Sequence, residues 1–448
     1  MKIILLSGGS GKRLWPLSND VRSKQFLRLL PMADGGTESM IQRVVRQIRE
    51  AGIADSITIA TGESQLDPIQ SQLGNEVSVV TEPCRRDTFP AIALASLYLK
   101  DQGTSPDEPI VVMPCDVFTE EGYFSVIQKM AKATEANVAE LILMGITPSS
   151  PSTKYGYIVP ASTEPDAFGA YPVSRFTEKP DTEHAIELLT ENAVWNGGVF
   201  AFRLGYLTDI VKQYSDFDSY EALRRHFESL PKISFDYEVV EKAKSVAMIP
   251  FSGEWKDLGT WDAVSEQLPK EYTGYVVNSP DVRHTHVVNE LDIPIVCVGV
   301  DNLIISASPD GILIADKESS DTVKEHVSVI NSRPMFEERR WGFYKVLGHT
   351  EYTDGHRSLT KLLHLNPGCA ISYQLHARRD EVWTIVDGEA LLVIDGKVIK
   401  VGRGDVVDIK AGQRHAIKAL THLEIIEVQS GSELVEEDIT RLPWDWDE

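Results

Sequence analysis

The first apolar run of the sequence ends in a turn rich in glycine and cationic side chains, Ser7-Gly-Gly-Ser-Gly-Lys-Arg13. Glycine lets the backbone approach a ligand closely, and the amides of such a turn can cradle a phosphate or a base. The composition also fits a tight strand-to-helix turn without a ligand, but the cations favour an anionic ligand. The candidate nucleotide-binding residues here are Gly8, Gly9, Gly11, Lys12, Arg13 and, further along, Lys24.

The turn matches neither of two familiar phosphate-binding motifs. A Walker loop requires a glycine at the position of Leu6 and a serine or threonine at the position of Arg13. The dinucleotide-binding fingerprint requires a final glycine where Leu14 stands. The phosphate chemistry must therefore come from another arrangement.

The chain is strongly acidic. Lys and Arg number 44 against 67 Asp and Glu, for a formal net charge of −23. Such a chain repels nucleic acid and anionic membranes, so we expect neither as a partner, and phosphate binding must rely on a local cluster of cations. We find no signal peptide and no apolar run near the roughly 20 residues that cross a bilayer. The four cysteines form no CxxC pair, and we expect a cytoplasmic protein without disulfides.

Apolar runs alternate with helical patterns through the first 260 or so residues. The runs Ile3–Leu6, Ile57–Ala60 and Pro109–Met113 predict strands, and the apolar spacing from Met40 to Ala51 predicts a helix. This alternation predicts an α/β fold with a mostly parallel sheet and helices on both faces. Ligands of such sheets bind beyond the carboxyl ends of the strands, where the glycine turn and Asp116 are expected.

The rest of the chain is rich in β segments. Short apolar pieces separated by Asp, Asn, Pro and Gly predict a small β connector, and regular strands from about Trp341 predict a sandwich or barrel. The pairs Asp387-Gly388 and Asp395-Gly396 predict tight hairpin turns. We place the domains at residues 1–272, 273–335 and 336–448.

Eight segments of the first 261 residues carry a combined signature: Gly8-Gly-Ser-Gly-Lys-Arg-Leu-Trp-Pro-Leu-Ser18, Lys24-Gln-Phe26, Glu82-Pro-Cys-Arg-Arg-Asp-Thr-Phe-Pro-Ala-Ile92, Pro114-Cys-Asp116, Tyr155-Gly-Tyr157, Phe176-Thr-Glu-Lys-Pro180, Trp195-Asn-Gly-Gly-Val-Phe200 and Trp255-Lys-Asp-Leu-Gly-Thr-Trp261. These segments resemble, in the same order, those of mannose-1-phosphate guanylyltransferases. The resemblance implies a Rossmann-like nucleotidyltransferase domain that transfers GMP from GTP to mannose 1-phosphate and releases pyrophosphate. The same chemistry with another nucleotide or hexose 1-phosphate is the near alternative.

Joining two polyanions requires a divalent metal, carboxylates to hold it and cations around the phosphates. By resemblance, Asp116 and Asp257 hold Mg²⁺, while Arg13 and Lys24 neutralise the triphosphate and the departing pyrophosphate. These four are the candidate catalytic residues. From the residues alone, Asp116 could instead cap the next helix, and Asp257 could be an ordinary turn residue.

The resemblance also implies a nucleotide-contacting segment that contains Glu82, Arg86, Asp87 and Thr88. The family commonly has Asn at the position of Asp87. Asp accepts hydrogen bonds but does not donate them, and a guanine edge offers N1–H and N2–H donors. An acidic residue at this position is therefore compatible with guanine.

A set of sugar-binding residues is implied in the same way. Lys179 would hold the phosphate of mannose 1-phosphate, and Glu178 would accept hydrogen bonds from sugar hydroxyls. From the residues alone, this pair could be exposed charges before a proline turn, and Tyr155 could be a core residue. The implied set is Tyr155, Gly156, Glu178, Lys179, Asn196, Gly197, Asp236 and Glu241.

From about Trp341 to Leu442 the chain resembles the cupin domain that some of these enzymes carry as a mannose-6-phosphate isomerase. The matching segments are Gln374-Leu-His-Ala-Arg-Arg-Asp-Glu-Val-Trp383 and Ala411-Gly-Gln-Arg-His415. Cupins commonly use a His-x-His pair, and here His376-x-Arg378 would place a cation at a ligand position. A site for zinc or another divalent ion could still form from Gln374, His376, Glu381 and His415.

Two interpretations of this barrel stay open. It could be a working isomerase that makes mannose 6-phosphate from fructose 6-phosphate, in addition to the transferase or as the sole activity. It could instead be a degraded cupin kept for dimer contacts or regulation. For the whole chain we expect a homo-oligomer whose partners are GTP and mannose 1-phosphate.

Overall fold

A computed structural model describes residues 1–9, 11–214, 217–330 and 332–446. The chain divides into two compact units. Unit 1 comprises Met1–Arg13, Ser23–Leu66 and Leu73–Lys270, and unit 2 comprises Leu14–Arg22, Asp67–Gln72 and Glu271–Glu448. Within the described ranges, each helix is too short or too polar to span a bilayer.

The secondary structure of the first 270 residues alternates between strands and helices. The strands are β1 (Lys2–Ser7), β2 (Leu30–Pro31), β3 (Thr37–Glu38), β4 (Ser56–Gly62), β5 (Ser78–Glu82), β6 (Pro109–Pro114), β7 (Val117–Thr119), β8 (Leu141–Ile146), β9 (Tyr157–Pro160), β10 (Tyr171–Thr177), β11 (Val194–Arg203), β12 (Val246–Phe251) and β13 (Trp255–Asp257). The α-helices are α1 (Met40–Glu50), α2 (Leu66–Leu73), α3 (Thr88–Asp101), α4 (Glu121–Glu135), α5 (Thr182–Thr190), α6 (Leu204–Val211), α7 (Tyr220–Arg225) and α8 (Trp261–Ser265). Single turns of 3-10 helix occur at Lys12–Leu14, Lys24–Phe26, Glu63–Gln65 and Phe227–Ser229, and a π-helix at Asp236–Val240.

The central sheet of unit 1 has the strand order β5-β4-β1-β6-β11-β8-β12-β10-β9. Neighbours among β5, β4, β1 and β6 are parallel, so the carboxyl ends of these four strands lie along one edge. Strand β11 runs antiparallel to both β6 and β8, which makes the sheet mixed beyond the parallel quartet. The predicted α/β fold is confirmed, and the quartet brings the ends of β1, β5 and β6 to the same edge.

Two helices show why the sequence folds around this sheet. Helix α3 is apolar nearly all round, and every residue from Phe89 to Leu97 is buried. Helix α1 buries one stripe of apolar residues and begins with a capping box formed by Ser39 and Gln42. The buried strands β1 and β6 read as continuous apolar runs, as expected of parallel strands covered on both faces.

Unit 2 contains the β-rich part of the chain. A connector of mostly parallel pairings consists of β14 (Tyr272–Thr273), β15 (Val276–Asn278), β16 (His286–Asn289), β17 (Ile295–Cys297), β18 (Leu303–Ser308) and β19 (Gly311–Asp316), followed by α9 (Val323–Val327). The barrel strands are β20 (Phe336–Arg339), β21 (Gly342–Glu351), β22 (Arg357–Leu365), β23 (Ala370–Leu375), β24 (Arg379–Asp387), β25 (Glu389–Ile394), β26 (Lys397–Gly402), β27 (Val406–Ile409), β28 (His415–Ala419), β29 (Leu423–Gly431) and β30 (Thr440–Arg441).

The barrel consists of two antiparallel sheets that share a core. One sheet has the order β20-β21-β22-β29-β24-β27, and the other has the order β26-β25-β28-β23-β30. The alternating burial along β22 and β29 sends every second side chain inward, where residues such as Leu363, Trp383 and Ile425 pack together. The predicted cupin-like β-barrel is confirmed.

One of the two predicted hairpin turns of the barrel is wrong. Asp395-Gly396 joins the paired strands β25 and β26, and both residues have positive φ, as a tight hairpin requires. Asp387-Gly388 instead carries the chain from one sheet to the other, because β24 pairs with β27 and β29 while β25 pairs with β26 and β28. Gly388 is needed there since a Cβ would lie 2.0 Å from the His422 carbonyl oxygen.

Candidate functional site

A buried lysine lies between two carboxylates at the carboxyl edge of the parallel strands. Lys24 Nζ is 2.7 Å from Asp116 Oδ2 and 3.6 Å from Asp257 Oδ1, and it lies 3.3 Å from the Leu258 carbonyl oxygen. Lys24 itself is only 9% exposed. The structure therefore brings together three of the four predicted catalytic residues in direct contact.

A short antiparallel ribbon explains why two distant aspartates meet. Asp116 follows β6 and immediately precedes β7, which pairs with β13 in the register Asp257↔Val117. The Leu258 amide also donates a hydrogen bond to the Asp116 carbonyl oxygen, at 3.3 Å. The ribbon thus fixes Asp257 beside Asp116 through backbone pairing, although 140 residues lie between them in the sequence.

Arg13 belongs to the same electrostatic cluster. A Cβ on Gly259 would lie 3.1 Å from both Arg13 Nη1 and Asp257 Oδ1, so the guanidinium and the carboxylate approach the same point of the backbone. The Arg13 charge also acts on Lys24, Asp116 and Asp257. All four predicted catalytic residues therefore lie in one cluster.

The charges of this cluster support one another. Burial disfavours a charged lysine, but the carboxylates of Asp116 and Asp257 outweigh it and raise the pKa of Lys24. Burial also works against ionisation of Asp116, yet the nearby Lys24 ammonium lowers the pKa of that carboxyl. For Asp257 burial prevails and raises the pKa. Lys24 and Asp116 are consequently charged at neutral pH.

The glycine turn leaves room for a ligand beside this cluster. Gly9 and Gly11 have φ angles of +119° and +50°, which few residues other than glycine adopt. A Cβ added at Gly8 or Gly9 would meet no atom within 4 Å, so open space lies over the backbone. The following Lys12 and Arg13 stand in a single 3-10 turn, with Arg13 exposed. The backbone here is accessible to an approaching phosphate.

The predicted nucleotide-contacting segment lies at the end of β5, on the same edge of the sheet. Burial raises the pKa of Glu82 to about 7. Arg86 Nε donates to the Leu230 carbonyl oxygen at 2.8 Å, and Thr88 Oγ1 accepts from the Phe235 amide at 2.8 Å. Arg86 and Thr88 therefore fasten the segment to the rest of unit 1.

Asp87 adopts a strained backbone conformation within this segment. Its φ is +70° and its ψ is −174°, a combination that is adopted almost exclusively by glycine. The Asp87 Oδ1 accepts a hydrogen bond from the Thr88 amide at 2.8 Å, at the start of α3. One carboxylate oxygen is thus engaged, while the exposed side chain keeps a second oxygen for a ligand.

The predicted sugar-binding residues form a second polar cluster in unit 1. Asn196 Nδ2 donates to Asp236 Oδ1 at 2.7 Å, and the Asn196 amide donates to the Gly156 carbonyl oxygen at 2.7 Å. A Cβ on Gly156 would lie 2.5 Å from Glu178 Oε2 and 2.8 Å from Phe176 Cζ, so a larger residue would have to displace these side chains. Burial, and then the Glu178 charge, raises the pKa of Asp236 to about 6. Two carboxylates and an amide side chain are held at one point.

The remaining residues of the predicted sugar-binding set border this cluster. Lys179 Nζ lies 2.6 Å from Glu178 Oε1 and is largely exposed. Tyr155 packs between Trp195 and Trp255, with ring centroids 4.9 and 5.3 Å away, and burial raises its pKa to about 12. A Cβ on Gly197 would lie 3.0 Å from Ile146 Cγ1, which is a tight contact. Glu241 is exposed, just beyond the π-helix.

The barrel contains a separate buried cluster of potential metal ligands. The ligand atoms of His376, Glu381 and His415 all lie within 4.8 Å of one another. His376 Nε2 is 3.2 Å from Glu381 Oε1, and His415 Nε2 is 3.6 Å from Glu381 Oε2. The Gln374 side-chain nitrogen is 3.4 Å from His376 Nε2. All four residues predicted as cupin ligands are brought together.

The two histidines are held in the tautomer that metal binding requires. His376 Nδ1 lies 2.6 Å from the Asp438 carbonyl oxygen, and His415 Nδ1 lies 3.1 Å from the Gln413 carbonyl oxygen. Because each Nδ1–H donates to a carbonyl, each Nε2 keeps a lone pair. The Nε2 of His376 lies 3.4 Å from the donors Gln374 Nε2 and Arg379 Nη2. Burial lowers the pKa of His415 to about 4 and, together with the Arg379 charge, lowers that of His376. Both rings are neutral at neutral pH.

Two orphaned polar atoms show that this cluster fits a divalent ion. Glu381 Oε2 and His415 Nε2 are buried without a hydrogen-bond partner among the described residues. Buried polar groups rarely remain unpartnered, and imidazole and carboxylate ligands suit zinc and similar ions. The pair of Asp116 and Asp257 fits Mg²⁺, which takes carboxylate oxygens.

The prediction that Arg378 occupies a metal-ligand position is wrong. The Arg378 side chain is 57% exposed and pairs with Glu433. The cation near the ligands is its neighbour, Arg379, whose Nε donates to Glu381 Oε1 at 2.9 Å. The reason is the alternation of side chains: Arg379 begins β24 and points inward with Glu381, two positions on.

A cavity of about 270 Å³ in unit 2 adjoins this cluster. Gln374 and Arg379 face it from the side of the ligands, and Glu427 and Gln429 face it from β29. Gln429 Nε2 bridges Glu381 Oε1 and Glu427 Oε2, at 3.3 and 3.0 Å. Arg339, Arg340, Lys361 and Arg441 add cations to the wall, and Asp67 and Glu436 add carboxylates that pair with Arg339 and Lys361. Cations outnumber carboxylates on this wall, which suits a small anionic ligand.

Comparisons with known proteins agree with both halves of this description. A family model described as nucleotidyl transferase matches residues 2–272, and one described as mannose-6-phosphate isomerase C-terminal matches residues 326–443. A mannose-1-phosphate guanylyltransferase of Klebsiella pneumoniae is 31% identical over an alignment that covers 98% of each chain. The chain belongs to the mannose-1-phosphate guanylyltransferase family.

Two further proteins are similar to this chain. Xanthan biosynthesis protein XanB of Xanthomonas campestris pv. campestris (strain B100) is 32% identical over 98% of this chain and 97% of its own. A solved structure from Thermus thermophilus, named a mannose-1-phosphate geranyltransferase, shares 28% identity, covers 74% of this chain and 99% of its own, and has a TM-score of 0.61. The predicted family and enzyme class, a nucleotidyltransferase, are confirmed.

Several residues near the sites of this guanylyltransferase family member were missed by sequence reasoning. In unit 1 these are Ser7, Ser23, Gln25, Thr61 and Gln65, whose side chains form a buried network beneath the glycine turn. In the barrel they are Arg379, Glu427 and Gln429. Ser7 and Gln25 lie inside segments that the sequence singled out for other residues, whereas Thr61 and Gln65 lie outside those segments, and no local motif signals that these side chains meet. The inward alternation along β24 and β29 could have indicated the barrel residues.

Proposed function

We propose that this protein transfers GMP from GTP to mannose 1-phosphate, giving GDP-mannose and pyrophosphate. The observation that carries the proposal is the cluster of Lys24, Asp116 and Asp257 beside an open glycine turn. Curated relatives that match over nearly the whole chain bear the name mannose-1-phosphate guanylyltransferase. The second polar cluster, around Asn196 and Asp236, gives the acceptor sugar a place to bind.

The reaction exchanges one phosphate ester bond for another. An oxygen of mannose 1-phosphate forms a bond to the α-phosphorus of GTP, in line with the bond to pyrophosphate, which breaks. Both substrates are polyanions, so alignment and charge neutralisation lower the barrier. Asp116 and Asp257 would hold Mg²⁺, which when bound neutralises negative charge on the phosphates.

Lys24 and Arg13 supply fixed positive charge to the same reaction. Lys24 remains an ammonium at neutral pH because Asp116 and Asp257 raise its pKa despite its burial. In our proposal both cations stabilise the triphosphate and the negative charge that grows on pyrophosphate as it leaves. Because the rest of the chain is strongly acidic and repels polyanions, these two cations are needed to hold the phosphates.

The choice of guanine is supported by carboxylates rather than by cations. Asp87 has one oxygen engaged by the Thr88 amide, and in our proposal the other accepts hydrogen bonds from N1–H and N2–H of guanine. Glu82, at the end of β5, is a further acceptor when it is ionised, and its pKa is about 7 because of burial. Gly8, Gly9 and Gly11 bring backbone amides toward the phosphates.

The sugar is assigned to the Asn196 cluster. Asn196 and Asp236 offer a donor and acceptors to hydroxyl groups, and Glu178 adds another carboxylate. Lys179, exposed beside Glu178, supplies the charge for the sugar phosphate. Burial, and then the charge of Asp257, raises the pKa of Tyr155. The effect of Asp257 indicates that Tyr155, beside the sugar site, adjoins the cluster of Lys24, Asp116 and Asp257.

Replacing either aspartate of the cluster should abolish most turnover. We expect Asp116→Asn and Asp257→Asn each to lower kcat by at least about 100-fold at saturating Mg²⁺, because each removes a charge that holds the metal. The measurement is pyrophosphate release from GTP and mannose 1-phosphate. Glu254→Gln is the matched control, since Glu254 is an exposed acid beside β13 and should leave kcat unchanged. Full activity in both aspartate variants would contradict the proposal, and a preference for ATP or dTTP would contradict the assignment of guanine.

The affinity for mannose 1-phosphate should depend on the ionisation of Asp236. Its pKa is raised to about 6, so the carboxylate is present above pH 6 and is lost as the pH falls through 6. We expect Asp236→Asn to raise the KM for mannose 1-phosphate about tenfold at pH 7.5, from loss of a charged hydrogen bond, and hardly at all at pH 5. The KM of the variant is divided by the KM of the unchanged protein at each pH, which removes the effect of the ionisation of mannose 1-phosphate itself. A ratio that stays constant from pH 5 to 7.5 would count against this role.

A second activity, mannose-6-phosphate isomerisation, is supported by the barrel. The specific observation is the buried set of Gln374, His376, Glu381 and His415 beside a cationic cavity of about 270 Å³. These four would hold zinc or a similar ion, which when bound polarises substrate oxygens. In this proposal the barrel converts fructose 6-phosphate into mannose 6-phosphate.

Glu427 is the residue placed to move the proton in that reaction. Isomerisation between aldose and ketose transfers a proton between C1 and C2 and another between the two oxygens, so nothing is gained or lost. Glu427 lines the cavity and accepts hydrogen bonds from Trp383 Nε1 and Gln429 Nε2, at 3.1 and 3.0 Å. Burial, followed by the Glu381 charge, raises its pKa to about 7, which suits a general base near neutrality.

The isomerase proposal predicts a loss of activity when this carboxylate is removed. We expect Glu427→Gln to lower the isomerisation of fructose 6-phosphate at least about 100-fold, because general bases contribute rate factors of that size. In the unchanged protein, kcat/KM should rise with pH through about 7 as Glu427 ionises. Glu424→Gln, on the outer face of the same strand, is the matched control. Absence of isomerisation in the unchanged protein with added zinc, cobalt or manganese would contradict the second activity.

A further inference from the structure

A buried network of polar side chains lies beneath the glycine turn and has no part in the reaction as described so far. Its centre is the Gln65 amide, at the end of the 3-10 turn Glu63–Gln65. Gln65 Oε1 lies within hydrogen-bond distance of Ser7 Oγ (3.0 Å), Gln25 Nε2 (3.1 Å) and Thr61 Oγ1 (2.7 Å). Gln65 Nε2 donates to Ser23 Oγ at 3.0 Å. One amide therefore joins four side chains.

The network is sealed from solvent. Its five residues are each between 0 and 2% exposed. Gln25 Nε2 also donates to Ser7 Oγ at 3.0 Å, so Gln25, Ser7 and Gln65 each contact the other two. A glutamine side chain is costly to bury unless its amide atoms form hydrogen bonds, and here both Oε1 and Nε2 of Gln65 do so. Removal of the amide would take an acceptor from Ser7 Oγ, Gln25 Nε2 and Thr61 Oγ1 and a donor from Ser23 Oγ. Gln25 Nε2 would keep its bond to Ser7 Oγ, and Thr61 Oγ1 would keep its bond to the Ser7 carbonyl oxygen.

The partners of Gln65 belong to three separate segments that meet at the catalytic cluster. Ser7 ends β1 and leads into the glycine turn, and Thr61 is near the end of β4. Ser23 and Gln25 are the immediate neighbours of Lys24 on either side. The amide thus fastens both flanks of Lys24 to the end of the strand that carries the glycine turn.

Lys24 needs such an anchor because its own secondary structure is minimal. It lies in a single 3-10 turn, closed by the Phe26 amide on the Ser23 carbonyl and by the Leu27 amide on the Lys24 carbonyl. A turn of this length has no further helix to hold it in place. The Lys24 side chain nevertheless points its ammonium to within 2.7 Å of Asp116.

We propose that Gln65 is a positioning residue for the transfer reaction, which holds Lys24 and the glycine turn in the arrangement that receives the leaving pyrophosphate. Gln65 touches neither substrate in this account and acts through Ser23, Gln25 and Ser7. The inference rests on the role proposed for Lys24 above. It adds a residue from the 3-10 turn that follows β4, outside every segment that resembles the family motifs.

The test compares three variants in the full-length protein. Gln65→Leu removes the whole amide, Gln65→Glu keeps the acceptor for three partners but loses the donor to Ser23, and Thr134→Val removes a buried hydrogen bond (Thr134 Oγ1 to the Met130 carbonyl, 2.9 Å) elsewhere in unit 1. We expect Gln65→Leu to lower kcat about tenfold with little change in the KM for GTP, since a displaced Lys24 fails mainly in the transition state. The kcat of Gln65→Glu should lie between those of Gln65→Leu and the unchanged protein, and Thr134→Val should keep full kcat.

A double-mutant cycle with Lys24→Met separates positioning through Lys24 from a general structural effect. If Gln65 acts through Lys24, adding Gln65→Leu to Lys24→Met should change kcat less than about twofold, because contacts in one network are not additive. An undiminished kcat in Gln65→Leu would overturn the inference. An equal further loss in the Lys24→Met background would also overturn it. Full kcat in Lys24→Met alone would instead overturn the proposed role of Lys24, and with it the inference.

Discussion

One electrostatic constraint governs the proposed reaction, because a chain with a net charge of −23 has to bring two phosphorylated substrates together. The structure meets it with a buried ammonium group, Lys24, held between the carboxylates of Asp116 and Asp257. Lys24 and Asp116 keep each other ionised against the effect of burial, as the raised pKa of Lys24 and the lowered pKa of Asp116 show. The cluster is therefore charged before any substrate arrives, which is the arrangement that electrostatic catalysis requires.

The same principle shapes the barrel, although with different groups. There the histidines are kept neutral by burial, and their Nδ1–H groups are committed to backbone carbonyls, so that the lone pairs remain available. Arg379 compensates the Glu381 carboxylate from within the same cluster. In unit 1 a lysine and two aspartates lie beside an open glycine turn. In unit 2 two neutral histidines and the Glu381 carboxylate, which pairs with Arg379, lie beside a cavity. Each arrangement suits the reaction proposed for it, phosphoryl transfer in the first and proton transfer in the second.

The sequence was sufficient to predict what depends on local order. The apolar run before Gly8 predicted β1, the alternation of elements predicted the α/β unit, and the pair Asp395-Gly396 predicted its hairpin. Motifs that resemble the family's also predicted that Asp116 and Asp257 belong to one site. Their meeting depends on the β7–β13 register, which no local pattern reveals.

Features that depend on three-dimensional alternation or on long-range pairing were not predictable in the same way. The choice between Arg378 and Arg379 as the buried cation follows from which residue begins β24 with its side chain inward. Asp387-Gly388 has the composition of a hairpin turn, but its strands pair with other partners. The Gln65 network joins residues up to 58 positions apart, each of an ordinary polar type. Such contacts have no sequence signature until the fold brings the segments together.

The most direct test of the central claim is whether the two aspartates jointly bind a divalent ion. Mn²⁺ binding can be titrated by electron paramagnetic resonance in the presence of GDP-mannose, in a Glu381→Gln background that disables the barrel site. The account predicts one bound Mn²⁺, with affinity at least about tenfold weaker when either Asp116 or Asp257 is replaced by Asn. Equal Mn²⁺ affinity in all three proteins would contradict it.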